Sequence, residues 1–105
     1  MARDTTTAHV DLLLLSTLES GPAHGYAIVD TLRTRSEGEF DLAEGTIYPA
    51  LYRLERRGLV TSRWEEGAGA RRRRVYRLTA RGRRELAGER ERWRRYVRAM
   101  DSVVA

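Results

Sequence analysis

A chain of 105 residues amounts to one domain, and a compact domain of that size buries a real core without staples. Hydrophobic residues make up 41% and charged residues 33%, which fits a soluble folded chain; with no cysteine, disulfides, thiol nucleophiles and Cys-based metal or iron–sulfur sites are excluded. The net charge of +5 is unevenly placed: residues 1–70 hold 7 Arg against 11 acidic residues, and residues 71–105 hold 13 Arg against 4.

Residues 1–7, ending in Thr5-Thr6-Thr7, are expected to be a flexible N-terminal tail. From Ala8 to Glu19, Val10, Leu13, Leu14 and Leu18 recur at helical spacing until Gly21-Pro22 stops the segment. The longest apolar run, Leu12–Leu15, falls far short of the roughly 20 residues a membrane span needs. No basic stretch precedes a secretory apolar segment, so a cytoplasmic location is expected, with no membrane partner. A second helix is expected over about His24–Arg35, with Ile28, Val29 and Leu32 as its stripe and Ser36-Glu37-Gly38 at its end.

The third helix lies between about Ala43 and Arg57, with Ile47, Leu51 and Leu54 inward and Gly58 as the stop. Pro49 constrains its start, because a proline deep in a helix loses a hydrogen bond and clashes. Thr46 as N-cap puts Pro49 in the first turn, whereas a start at Glu44 requires a distorted first turn. Two β-rich runs follow, Leu59–Trp64 and Val75–Thr79, joined by a hairpin tip at residues 65–70. Ala80 to about Val104 reads as a long, charged helix.

Helix, helix, helix, hairpin, helix is a mainly α architecture with a small β-hairpin (α+β). It is a winged helix-turn-helix over residues 8–79, with residues 80–105 as a C-terminal dimerisation helix. In that fold the third helix enters the DNA major groove. Tyr48, Pro49, Tyr52, Arg53 and Arg56 are left facing outward, where they can stack, touch a thymine methyl or donate to phosphates and base edges. Arg71, Arg72, Arg73 and Arg74 follow a glycine-containing tip and are suited to gripping phosphates. A strongly basic half also points to a polyanion.

Three stretches resemble the PadR family of bacterial winged-helix regulators. They are Gly21-Pro22-Ala23-His24-Gly25-Tyr26; Leu42 to Glu55 followed by Gly58-Leu59; and Arg73 to Gly82. Together they span about residues 10–85. The resemblance implies a transcription factor, most often a repressor, that binds double-stranded DNA as a homodimer and is released by a small aromatic or drug-like effector. It puts His24, Tyr26 and Thr46 beside the outward residues of the third helix at the DNA. The chain departs from the family at Ala43, where Ser or Thr is common, and at the wing tip, where Gly69-Ala70-Arg71-Arg72-Arg73 replaces a Gly/Pro-containing turn.

On the last helix Leu86, Trp93 and Met100 are spaced by seven, and so are Val97 and Val104, giving a seam interrupted by Arg90. Burying that seam against a second copy makes a two-fold dimer matched to a palindromic operator. The resemblance also implies a cavity at the dimer interface for a flat effector, walled by Trp93, Val97 and Met100 with Val10 or Leu14 of the first helix; Trp93 as plain dimer core is the other reading. His9 and His24 have no metal-ligand spacing, and no nucleophile–base pair, phosphate loop or carboxylate pair marks an enzyme; no cofactor is expected. The alternative is a non-specific architectural DNA binder or a winged-helix module for protein interaction.

Overall fold

The computed structural model describes residues 5–67, 69 and 72–105, with side chains from His9 onward. Its elements in chain order are α1 (Thr5–Glu19), β1 (Ala23–His24), α2 (Gly25–Arg35), α3 (Glu44–Arg56), β2 (Val60–Glu66), β3 (Arg72–Leu78) and α4 (Ala80–Val104). This is the expected winged helix. Among the described residues no helix is long and apolar enough to cross a membrane.

One core holds the elements together. Val10, Leu14, Leu15 and Leu18 of α1 meet Ile28 and Leu32 of α2 and Ile47, Ala50, Leu51 and Leu54 of α3, while Leu59, Val60, Tyr76, Leu78 and Leu86 close the far side. Each fully buried Leu or Ile contributes about 1.5–3 kcal/mol. Thr5–Thr7 belong to α1 and not to a loose tail. Weak helix formers in a first turn are carried by cooperative extension from the strongly packed turns behind them.

The helix stops follow from backbone chemistry. After α3, the Leu59 amide donates to the Leu54 carbonyl at 3.0 Å and the Gly58 amide to the Glu55 carbonyl at 2.9 Å, with Gly58 at φ +76°. This is the Schellman pattern that a glycine in left-handed conformation permits. At the start of α4, the Thr79 hydroxyl accepts from the Gly82 amide at 2.9 Å and donates to the Gly58 carbonyl at 2.7 Å. One side chain thus ties the end of the third helix to the start of the fourth.

The start of α3 corrects the sequence expectation. Ala43, not Thr46, is the N-cap; it offers no side-chain bond, and Thr46 lies exposed within the first turn. The Thr46 and Ile47 amides both donate to the Ala43 carbonyl, at 2.9 and 3.1 Å, so the turn is tightened as the proline argument requires. Pro49 is tolerated because the carbonyl it deprives, that of Gly45, lies on an exposed edge where water can serve it.

The sheet has three strands in the order β1-β3-β2, all antiparallel. The two-residue β1 was not legible in the sequence. It pairs Ala23 with Tyr76 and His24 with Val75, so the turn into α2 is fastened to the wing. On β2 and β3 the pairing of Val60 with Leu78, Ser62 with Tyr76 and Trp64 with Arg74 fixes which side chains share a face. The face that is buried at Val60, Leu78 and Tyr76 continues outward as Ser62, Trp64, Arg74 and Arg72.

Candidate nucleic-acid interface

Of the outward residues expected on α3, Tyr48, Pro49, Tyr52, Arg53 and Arg56 are all exposed, as is Thr46. Tyr52 is 61% exposed, and the Arg56 guanidinium lies 5.7 Å from its ring centroid. Tyr48 leans on α2: a Cβ added at buried Gly25 would meet the Tyr48 ring carbons at 2.5–2.6 Å. The glycine is therefore what lets the ring lie against the helix start. Arg53 does more than face solvent. It donates to Asp11 of α1 at 2.9 Å, and Arg57 approaches the same buried carboxylate at 3.9 Å.

His24 caps α2. Its Nδ1 accepts from the Ala27 amide at 3.2 Å, while its Nε2 lies 3.0 Å from a guanidinium nitrogen of Arg73. The Arg73 guanidinium thus lies against the residue that caps α2.

Between α2, Tyr48 and the wing runs an open groove of about 830 Å³, lined by His24, Tyr26, Asp30, Trp64, Tyr76 and the arginines at 72–74 among others. Tyr26 stands on its rim, 62% exposed. Burial pushes the Tyr76 phenol up from its ordinary value, an effect only partly offset by Arg74. Arg72, Arg73 and Arg74 are exposed on β3, and Arg71 lies outside the described residues.

Sequence reasoning missed the residues that hold this surface in shape. Trp64 is 53% exposed, and the Arg72 and Arg74 guanidinium carbons lie 5.4 and 5.5 Å from its ring centroid. Arg74 also donates through Nε to the Ser62 hydroxyl at 2.9 Å, and that hydroxyl donates to Glu55 of α3 at 2.8 Å. The period-2 pattern placing Trp64 two residues past Ser62 was the available signal.

The long last helix departs from its expected role at one end. Leu86 is buried in the domain's own core and is not part of an exposed seam, because the first turns of α4 close that core. Arg90, the interruption in the seam, donates to both Glu19 carboxylate oxygens at 2.7 and 3.3 Å. Beyond it Trp93, Met100 and Val104 are exposed and Val97 is half-buried. A helix of 25 residues is about 37 Å long, in a molecule measuring 53 × 29 × 27 Å.

Two residues expected to wall an effector pocket lie elsewhere. Val10 and Leu14 turn into the core, so they cannot wall a cleft on the opposite side of α1. The cleft that does exist there, about 330 Å³, is lined by His9, Leu12, Leu13 and Ser16 of α1, Arg35 at the end of α2, Phe40 after it, and Arg90 and Trp93 of α4. Trp93 meets the His9 ring edge-on at a centroid distance of 5.4 Å. The Ser36 hydroxyl accepts from the Phe40 amide at 2.8 Å, turning the chain after α2 back on itself.

The whole arrangement has close counterparts. A transcriptional regulator from Clostridium thermocellum superposes with a TM-score of 0.87 at 28% identity, over 100% of this chain and 99% of that one. A PadR family transcription regulator from Clostridium difficile R20291 is 34% identical, with a TM-score of 0.78 over 92% of this chain and 99% of its own. Bacillus subtilis PadR, solved in complex with operator DNA, is 25% identical, with a TM-score of 0.70 over 76% of this chain and 45% of that protein. The description of the transcriptional regulator PadR-like family matches residues 14–88, and such proteins are regulators and not enzymes. With most of its length matched and the winged helix in place, the chain belongs to the PadR-like family of transcriptional regulators.

Proposed function

We propose that this regulator is a cytoplasmic repressor that binds a palindromic operator in double-stranded DNA as a homodimer and is released by a small aromatic effector. The observation carrying the DNA assignment is the groove that brings Tyr48 of α3 together with Arg72 and Arg73 of the wing, with Tyr52 and Arg56 exposed on the same helix. An exposed helix face rich in Tyr and Arg reads base edges, and adjacent arginines hold phosphates. The solved complex of Bacillus subtilis PadR with operator DNA supports the reading by similarity. Thr46, Pro49 and Tyr26 flank that helix face, and Arg73 beside His24 offers a donor for phosphate. Arg71, which precedes them in the sequence, adds a further cation to the run, and Arg53 braces α3 on Asp11 while it faces the DNA.

The dimer reading rests on the apolar row Trp93, Val97, Met100 and Val104, which the protein's own core leaves uncovered. The effector reading rests on the cleft between His9, Leu13, Phe40 and Trp93, where two aromatic rings and apolar side chains surround room for a flat molecule. Residues 8–79 form the DNA-binding unit and 80–105 the pairing helix.

Competition binding tests the proposal. At near-physiological salt, the duplex upstream of the protein's own gene is expected to be bound at least a hundredfold more tightly than random duplex. Equal affinity for both would overturn the repressor reading in favour of architectural binding.

A further inference from the structure

Arg74 is the most tightly engaged of the described wing arginines. Its Nε donates to the Ser62 hydroxyl at 2.9 Å, its terminal nitrogen lies 3.9 Å from Glu55, and its guanidinium carbon is 5.5 Å from the Trp64 centroid. Ser62 in turn donates to Glu55 at 2.8 Å. The chain Arg74–Ser62–Glu55 therefore runs from the second wing strand, across the first, to the last turn of α3. Each hydroxyl and guanidinium group in it has a defined direction, so the bonds reinforce one another.

An isolated surface ion pair contributes little to stability. This one joins two elements that must meet DNA at a fixed separation, and its worth lies in that geometry. Trp64 stands directly opposite Arg74 on the neighbouring strand and diagonal to Arg72, so its ring is a shared platform for both cations.

We infer that Glu55, Ser62, Trp64 and Arg74 form a latch that sets the pitch of the wing against the recognition helix, making Arg74 a positioning residue and leaving phosphate contact to Arg72 and Arg73. The latch rests on the DNA-binding reading for its purpose but not for its existence. A fixed pitch holds the wing over one stretch of DNA relative to the base pairs under α3, and so contributes preference at flanking positions.

The two roles for Arg74 predict opposite signs for Glu55→Gln. If Arg74 were an ordinary phosphate contact, removing the carboxylate would free its charge and tighten binding. If it is a latch, the wing loosens and binding weakens. Ser62→Ala, which changes no charge, is the companion variant. The probe is the duplex that the wild-type full-length chain enriches most from a random-sequence pool. Both variants are expected to bind it about five- to tenfold more weakly, with base preference retained under α3 and blurred at the flanks. The second readout needs no DNA. In a Trp93→Phe background the fluorescence anisotropy of Trp64 is expected to decay faster in both variants than in their parent.

Tighter binding by Glu55→Gln, or unchanged Trp64 motion in both variants, would overturn the latch. A wild-type chain that enriches no duplex would instead sink the DNA reading. The latch is then decided by Trp64 motion alone, faster decay supporting it and unchanged decay refuting it.

Discussion

The backbone of Gly82 lies directly against the carbonyl of Leu59, so that a β-carbon on Gly82 would overlap that oxygen and stand 2.9 Å from its carbon and 3.2 Å from Leu78 Cδ2. The contact joins the first turn of α4 to the turn that ends α3, beside the Thr79 hydroxyl that bridges the same two segments. Helix α4 is thereby held close against the turn that ends α3.

Gly82→Ala is therefore expected to cost about 3 kcal/mol, because backbone must move to admit the methyl group. Gly88→Ala, six residues along the same helix, meets only the Arg92 guanidinium, at an ordinary contact distance of 3.6 Å. It is expected to stabilise by about 0.5–1 kcal/mol through lower unfolded-state entropy. Urea denaturation at one fixed protein concentration measures both, and the opposite signs separate close contact from helix propensity.

Gly25 poses a milder version of the problem. The atoms in its way belong to the Tyr48 ring, the far end of a side chain that can swing aside. Gly25→Ala is thus expected to cost only about 1 kcal/mol in stability but to move Tyr48 off the start of α2. DNA affinity is expected to fall about tenfold, matching Tyr48→Leu, and the double variant is expected to be no worse than either single one. A gel-shift series on the three proteins checks the non-additivity.

The two glycines also show what was legible in the sequence. The helices, the hairpin and the Gly58 stop could be read from periodicity and turn chemistry, because local backbone preferences decide them. Gly25 and Gly82 stood in recognisable motifs, yet their reasons are contacts with Tyr48 and the Leu59 carbonyl, which exist only once the chain is folded. The Thr46 cap failed for a related reason: helix α3 is anchored by Ile47 and Leu51 in the core, and packing overrode the capping preference. Leu86 shared a heptad spacing with Trp93, but spacing cannot say whether a face meets its own domain or another copy. The wing latch was invisible because Glu55, Ser62 and Arg74 come from three separate elements.

The bond between Glu19 and Arg90 carries a pH signature. The hydrogen bond from Arg90 holds the Glu19 carboxyl below its ordinary value of 4.5, with the nearby positive charges of Arg83 and Arg35 adding to it. A depressed carboxylate contributes stability that is present above its unfolded-state value and is lost as pH falls through its folded-state value. The stability gap between the wild type and Glu19→Gln is accordingly expected to be constant from pH 7 to about 5 and to close below about pH 4.5. Because the pair is exposed, 1 M salt should shrink the gap at neutral pH as well. Denaturation curves across that range test both effects.

The uncovered row on α4 makes the last prediction. Val104 is 73% exposed, Met100 45% and Trp93 41%, while Leu86 behind them already belongs to the core. A hydrophobic row of this kind is costly to leave in water, and a second copy of the chain would cover it. Met100→Glu would bury a carboxylate at the centre of that contact. It is expected to convert a dimer at micromolar concentration into a monomer by sedimentation velocity. The same change should abolish any dependence of Tm on protein concentration, since only the dimer couples folding to mass action. The helical content of the monomer is expected to persist, because the core contacts of α4 end before Trp93. If the variant sedimented like its parent, the row would not be the pairing surface, and the two-fold placement of the reading helices would lose its basis.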